Sequence, residues 1–540
     1  MKRITVLLLS LFVAMLGTAT NYYVSSTAQY RSDSNLGTSP DLPWATMQKV
    51  NSLTFNPGDT VRFYGTITDQ VMYDPGNGSE VAPIVFMGME PNNGRAVISG
   101  ITLSNTQYVE FQNFEIATHR ISINTVNTSK NPVKFLKFKS LYLHGGIQGI
   151  AITIPTATDI TFENTIIDQM DQDGILLSDP AGDRFSYIGG SITNTGKVPP
   201  KWGTHGCYAS GGTGHLFDGV TFRNNANGWS FSIRRGGVTL RNCNFFNVQG
   251  SGAINNNNED EATGINPYTS SPAKNQYYMI YRNLFVGNNM VTAIYQGGNN
   301  DQGCNDPGNV WAIFNNTFVN TQINLYSDGN PSRYYDSYIC NNAFVNSTVK
   351  LGDANAGKSH ILSNNGWFNT TFIHVSVPQG SGITTDPALD ADYNVTADAY
   401  KNAGISEIAP ERTDKDMLAV SMVADTTDPL YYLGSNPDIG MNEYDNITGI
   451  NNLPEAISVK IAPNPFSSSI TIDYNVSDNG KVMIEIYNLT GQLIQRLVDE
   501  DQSSMGKHSV TWNADNLPDG LYLCKIDING NKQVHKILKK

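Results

Sequence analysis

The sequence predicts an all-β protein: a parallel β-helix followed by a small β-sandwich. Three observations carry this. First, a unit recurs about every 25 residues, seen in Val109-Glu-Phe-Gln-Asn-Phe-Glu-Ile116, Ile160-Thr-Phe-Glu-Asn-Thr-Ile-Ile167, Val238-Thr-Leu-Arg-Asn-Cys-Asn-Phe245 and Trp311-Ala-Ile-Phe-Asn-Asn-Thr-Phe318. Such a period marks a solenoid. Second, apolar residues alternate within each unit, which makes the units strands. Third, a small or Asn residue sits mid-unit, suited to a tight bend between stacked coils. The anchors are Gly65, Gly88, Asn113, Ser140, Asn164, Gly190, Gly219, Asn242, Asn283, Asn316, Asn342 and Asn365.

The 540 residues exceed one ordinary globular core. A solenoid escapes that limit because each coil buries its apolar side chains against its neighbours. The formal charge of −13 argues against nucleic acid or an anionic membrane as partner. Met1 to Ala19 read as a signal peptide: Lys2 and Arg3, an apolar run from Ile4 to Leu16, then small residues. That run falls short of the roughly 20 residues that span a bilayer. Five cysteines without a C-x-x-C make a zinc site improbable; Cys207 and Cys243 fit as core fillers, and Cys304 and Cys340 are candidates to pair across coils.

The boundaries follow: signal peptide 1–19, β-helix 21–445, linker 446–454 and β-sandwich 455–540. The tail opens with Pro463-Asn464-Pro465-Phe466. It continues through Tyr487-Asn488-Leu489-Thr490-Gly491, Trp512-Asn513 and Leu517-Pro518-Asp519-Gly520-Leu521-Tyr522, and ends on lysine. This combination resembles the type A C-terminal sorting domain of the type IX secretion system. The resemblance implies export across the outer membrane by that machinery, then release or surface attachment.

Two stretches resemble the ends of secreted right-handed parallel β-helix proteins of the pectate-lyase-like superfamily. They are Pro43-Trp-Ala-Thr-Met-Gln-Lys-Val-Asn51 with Asn56-Pro-Gly-Asp59, and Asp386-Pro-Ala-Leu-Asp390 with Asn436-Pro-Asp-Ile-Gly440. The first is expected to form a short helix capping the solenoid. The superfamily holds polysaccharide lyases, glycoside hydrolases, epimerases and adhesins, so the resemblance implies a fold and leaves the reaction open. His205-Gly-Cys-Tyr208 is similar to a His-Gly-Ile-Tyr pattern common there, including members without assigned activity.

A second strand recurs after Gly149, Gly174, Gly206, Gly228 and Gly252. Aligning these glycines makes Ile150, Ile175, Cys207, Trp229 and Ala253 one inward rung. Ala151, Leu176, Tyr208, Ser230 and Ile254 then face outward, with Thr153, Ser178, Ser210, Ser232 and Asn256 the next outward rung. Asp173 and His205 share a position on consecutive coils, with Asn227 next and Arg234 beyond. Strands lie roughly 4.8 Å apart, so a carboxylate–imidazole hydrogen bond is expected to fix the ring and raise its basicity. Satisfaction of backbone groups at the bend accounts for the same two residues equally simply. The 41-residue step that follows carries Asn255 to Tyr268, a loop long enough to wall a groove.

Two reactions fit. In a lyase, His205 or Tyr208 removes the proton beside a uronate carboxylate and Arg234 neutralises that carboxylate. In a hydrolase, Asp171 and Asp173 flank the glycosidic bond. Trp202, Asn256 and Tyr268 are the substrate-binding candidates, and Tyr295 is a further exposed aromatic suited to sugar stacking. No metal site is assigned and Ca²⁺ is optional: Glu259, Asp260 and Glu261 offer oxygen ligands of the kind Ca²⁺ takes, though a solvated loop tip explains them better. The reading is a secreted or surface-attached monomer that cleaves an extracellular polysaccharide. The alternative is a non-catalytic adhesin or glycan-binding stalk.

Overall fold

The computed structural model describes residues 19–89, 95–124, 132–178, 182–198, 204–233, 237–247, 251–258, 277–298, 309–325, 335–351, 360–373, 382–410, 419–423, 428–443, 459–464, 466–476, 480–488, 493–503, 506–515, 517–518, 520–528 and 531–539. Apart from Ala19, the expected signal peptide lies outside the described residues. The chain divides into two compact units, Met1–Asn446 and Ile447–Lys540. Among the described residues no helix is long and apolar enough to cross a membrane.

The first unit is a parallel β-helix. Each coil contributes one strand to a 13-stranded parallel sheet and short strands to a second, 22-stranded assembly. Alternation in the sequence becomes alternation in burial: Val109, Phe111, Leu136, Phe138, Ile160 and Phe162 are fully enclosed, while Glu110, Lys137 and Thr161 face out. In-register coils bring like residues together. Phe222, Phe245, Phe285, Phe318 and Phe344 form one continuous stack, each ring centroid 4.8 Å from the next. The expected N-terminal cap is present as the helix Met47–Asn51, where Thr46 accepts a hydrogen bond from the Lys49 amide and Met47 and Val50 are buried.

The bends change character along the solenoid. Asn113, Ser140, Asn164 and Asn242 adopt left-handed conformations with φ of 57, 54, 49 and 53°, which Asn tolerates better than most residues. In the distal coils the left-handed residue lies one position earlier, at Arg282, Asn315, Asn341 and Asn364. The anchors Asn283, Asn316, Asn342 and Asn365 are instead buried in a ladder. Asn316 donates to the Ile280 carbonyl (2.8 Å) and to Asn342 Oδ1 (2.9 Å), and its own Oδ1 accepts from the Asn283 amide at 2.9 Å. The Asn-Asn pairs thus divide two jobs: the first turns the chain and the second ties coil to coil.

A return segment packs on the distal coils. Ile408, Val420 and Met422 cover Val310, Phe314 and Tyr338. Glu443 accepts from Asn315 Nδ2 at 3.0 Å, and burial pushes its carboxyl up to about 8. Cys340 lies under this segment as a free, buried thiol; Cys304, its candidate partner, lies outside the described residues.

The second unit is an antiparallel β-sandwich. Sheets of three strands (Val459–Ala462, Ser469–Val476, Gly506–Asn513) and four strands (Gly480–Asn488, Leu493–Ser503, Gly520–Ile528, Asn531–Lys539) enclose Ile470, Ile472, Trp512, Ile484, Ile486 and Ile526.

Candidate functional site

The strand Ile175–Leu177 pairs with Cys207–Ala209, matching Ile175 to Cys207 and Leu176 to Tyr208. Asp173 and His205 therefore sit side by side at the bends preceding these strands. One coil earlier Ile150 pairs with Ile175, which puts Gln148 beside Asp173.

One coil later the glycine alignment fails. Cys207 pairs with Phe231, not Trp229, and Phe231 pairs with Ile254, not Ala253. The cause is apolar burial: Phe231 and Ile254, both fully enclosed, fill the core. Gly228 sits two positions off the other glycines, packed so tightly on Thr204 and His205 that a Cβ there would lie 2.4 Å from His205 Nδ1. Trp229, not Asn227, is next to His205. Ser232 moves onto the Tyr208 rung, and Asn256 pairs with Ile233 instead of continuing the outward row. Ile254, expected outward, is core.

The corrected register gives a stripe of Gln148, Asp173, His205, Trp229 and Gly252, about 19 Å long at the usual strand spacing. Its chemistry is graded. Arg120 donates to Gln148 Oε1. Gln148 Nε2 donates to Asp173 Oδ2 at 3.3 Å, and the backbone N–H of His205 donates to Asp173 Oδ1 at 2.8 Å. The carboxylate thus meets the amide of His205, not its ring, because the amide points along the coil-to-coil direction. Burial raises the Asp173 carboxyl from 3.8 to about 6, and these two hydrogen bonds, with one from its own backbone amide, oppose that rise only in part. The His205 ring is tilted against that of half-buried Tyr208, centroids 5.2 Å apart. Asp171, two residues before Asp173, is half-exposed, and its backbone is fixed by the Gly146 carbonyl at 2.9 Å.

Past His205 the stripe becomes aromatic. Trp229 lies over Gly252, where a Cβ would come within 2.3 Å of the indole, and stacks on Tyr295 at 5.5 Å and 19°. Both rings are half-exposed. On the neighbouring rung, Ser232 Oγ and Asn255 Oδ1 are buried without a hydrogen-bond partner among the described residues.

Of the candidate residues, Asp171, Asp173, His205 and Tyr208 belong to adjacent bends and strands of one face. Trp202, Arg234, Tyr268, Glu259, Asp260 and Glu261 lie outside the described residues, as does the side chain of Asn256. Among the described residues no group of three or more His, Cys, Asp or Glu could hold a metal. Gln148 and Trp229 were missed. The signal for Trp229 was available: Trp229, Phe231 and Ile233 share a parity, so a five-residue strand starting at the tryptophan was an option beside the glycine alignment.

Residues 460–540 match the family model described as the secretion system C-terminal sorting domain. The tail is thus the type IX sorting signal, and the chain carries the address of a protein secreted to, or held at, the outer surface. No curated protein matches the chain. Solved structures similar to it include a GH136 lacto-N-biosidase from Eubacterium ramulus, 12% identical over 66% of this chain and 68% of that one, with a TM-score of 0.36. A PL6 family polysaccharide lyase from Pseudopedobacter saltans is 11% identical over 65% and 98%, with a TM-score of 0.31. The enzymatically active domain of bacteriophage CBA120 tailspike protein 2 is 11% identical over 91% and 73%, with a TM-score of 0.30.

Proposed function

We propose that the chain is an extracellular glycan hydrolase whose proton donor is Asp173. The observation that carries this is a carboxyl held near 6 by burial at the rim of a stripe that ends in an aromatic pair. A carboxyl poised there is protonated in mildly acidic surroundings and transfers its proton to a leaving glycosidic oxygen. Asp171 serves as the second carboxylate, activating water or attacking the sugar. The His205 amide and Gln148 hold the Asp173 carboxyl in one orientation. Trp229 and Tyr295 offer apolar ring surface to a pyranose, with Tyr208 between them and the acid. The lyase alternative uses His205 or Tyr208 as the base and Arg234 as the cation that neutralises the uronate carboxylate.

A second reading, a glycan-holding stalk without turnover, is favoured by one fact: both Asp173 oxygens already accept protein hydrogen bonds. Reducing-end release from soluble neutral polysaccharides separates the two, with ultraviolet absorbance on polyuronates as the lyase arm. Hydrolysis that vanishes in Asp173→Asn, with circular dichroism unchanged, supports the proposal. Binding without release of ends favours the stalk, and an ultraviolet-absorbing product overturns the hydrolase.

A further inference from the structure

A second bend, on the 13-stranded sheet, repeats over five coils. Tyr108, Phe135, Asp159, Arg184 and Gly214 occupy one register position and all adopt left-handed backbone, with φ of 52, 56, 58, 56 and 70°. Elsewhere in the solenoid such positions are mostly Asn, Ser or Gly, residues that tolerate this conformation. A bulky aromatic at positive φ is an outlier, and strain of this kind collects at functional sites.

The two rings stack on each other with centroids 4.7 Å apart at 20°, and Phe135 is 38% exposed. They line a cavity of about 450 Å³ together with Glu80, Glu110, Lys137 and Asp159. Its charges largely cancel. Lys139 bridges to Glu110 at 3.0 Å, Arg184 holds Asp159 through two hydrogen bonds of 2.7 and 2.8 Å, and the Lys134 ammonium lies 5.3 Å from the Phe135 ring. A concave site of this size with an apolar ring surface and a rim of balanced donors and acceptors suits a small amphipathic ligand without net charge. Outside the cell, a sugar unit of a polysaccharide has that chemistry: C–H faces for the rings and hydroxyls for the rim.

We propose that Tyr108 and Phe135 form a second glycan-binding site, selective for neutral polysaccharide, that holds the protein on its polymer independently of any cleavage by the other sheet. Each ring is installed at a bend where Asn would fold more readily, so the site and the fold make opposite demands on these positions.

The test is affinity electrophoresis of the full chain carrying Asp173→Asn, run through gels containing soluble β-glucan, mannan or xylan, with alginate and polygalacturonate as acidic arms. Tyr108→Asn/Phe135→Asn is then added. At least one neutral polymer is expected to retard the chain, and the added pair to weaken that retention tenfold or more. The thermal unfolding midpoint should stay equal or rise, because Asn accepts left-handed backbone. Retention by none of the neutral polymers, retention by polyuronates alone, retention unchanged by the added pair, or a lowered midpoint each overturns the proposal. The last outcome would make the rings structural. Retention is read without turnover, so the result stands apart from the hydrolase reading, which fails or survives on reducing ends.

Discussion

Replacing Asp173 with Asn should stabilise the fold while abolishing turnover. A rise of the carboxyl from 3.8 to about 6, at about 1.36 kcal/mol per pH unit, means that the ionised group costs the folded state about 3 kcal/mol. The sign follows from the direction of the shift. A carboxyl whose pKa is raised on folding favours the fold while it is protonated. That advantage is fully present below about 4, shrinks as the pH climbs, and is gone above about 6. Asn is permanently neutral and escapes the loss. Its Oδ1 still accepts from the His205 amide, but its Nδ2 faces the Gln148 amide, a mismatch worth about 1 kcal/mol. The net gain is about 2 kcal/mol at pH 8 and nothing, or a small loss, at pH 4. Urea denaturation of the two chains at both pH values measures it, with reducing-end release run in parallel. A variant no more stable than wild type at pH 8, or equally more stable at both pH values, would refute the burial argument. Retained turnover would remove Asp173 from the chemistry.

Other predictions follow from the same frame. Asn316→Ala removes the partners of the Ile280 carbonyl and the Asn283 amide in the interior, while Asn342 Oδ1 keeps the backbone amide of residue 316, so the urea midpoint should fall by the equivalent of at least about 2 kcal/mol. Glu443→Gln should be tolerated at pH 6 and stabilising at pH 9, read as the thermal midpoint, because burial holds the wild-type carboxyl up to about 8 and the native fold loses stability as the pH rises toward that value. Cys207, Cys243, Cys340 and Cys524 are buried free thiols, so a thiol reagent at pH 8 should label them only after denaturation.

The sequence exposed the solenoid because its physics is local and repeated: alternation sets the faces, and Asn or Gly sets the bends. The sorting tail was legible for a different reason, since a compact sandwich must carry its turns and core at fixed offsets. Register was harder. Gly149, Gly174 and Gly206 share one position, and extending the series to Gly228 and Gly252 looked natural. Yet Gly228 is small to make room for the His205 ring and Gly252 to lie under Trp229. A glycine marks close approach without saying what approaches. Apolar burial decided part of the issue: the one-residue shift from the Gly228–Gly252 alignment turns Ile254 into the core, while Phe231, on the same parity as Trp229, faces inward in either register. The same blindness hid the hydrogen-bonding role of Gln148, a polar residue whose partner is 25 positions away. At the distal coils, pairs such as Asn315-Asn316 carried both a bend residue and a ladder residue, and one anchor per coil could not separate them.

The pH dependence of polysaccharide hydrolysis tests the central claim most directly. If Asp173 donates the proton, the rate on a neutral polymer falls about tenfold per pH unit above about pH 6, and the Asp173→Asn chain shows no such limb because it has no activity. A rate that is flat or rising between pH 5 and 8 would contradict the account.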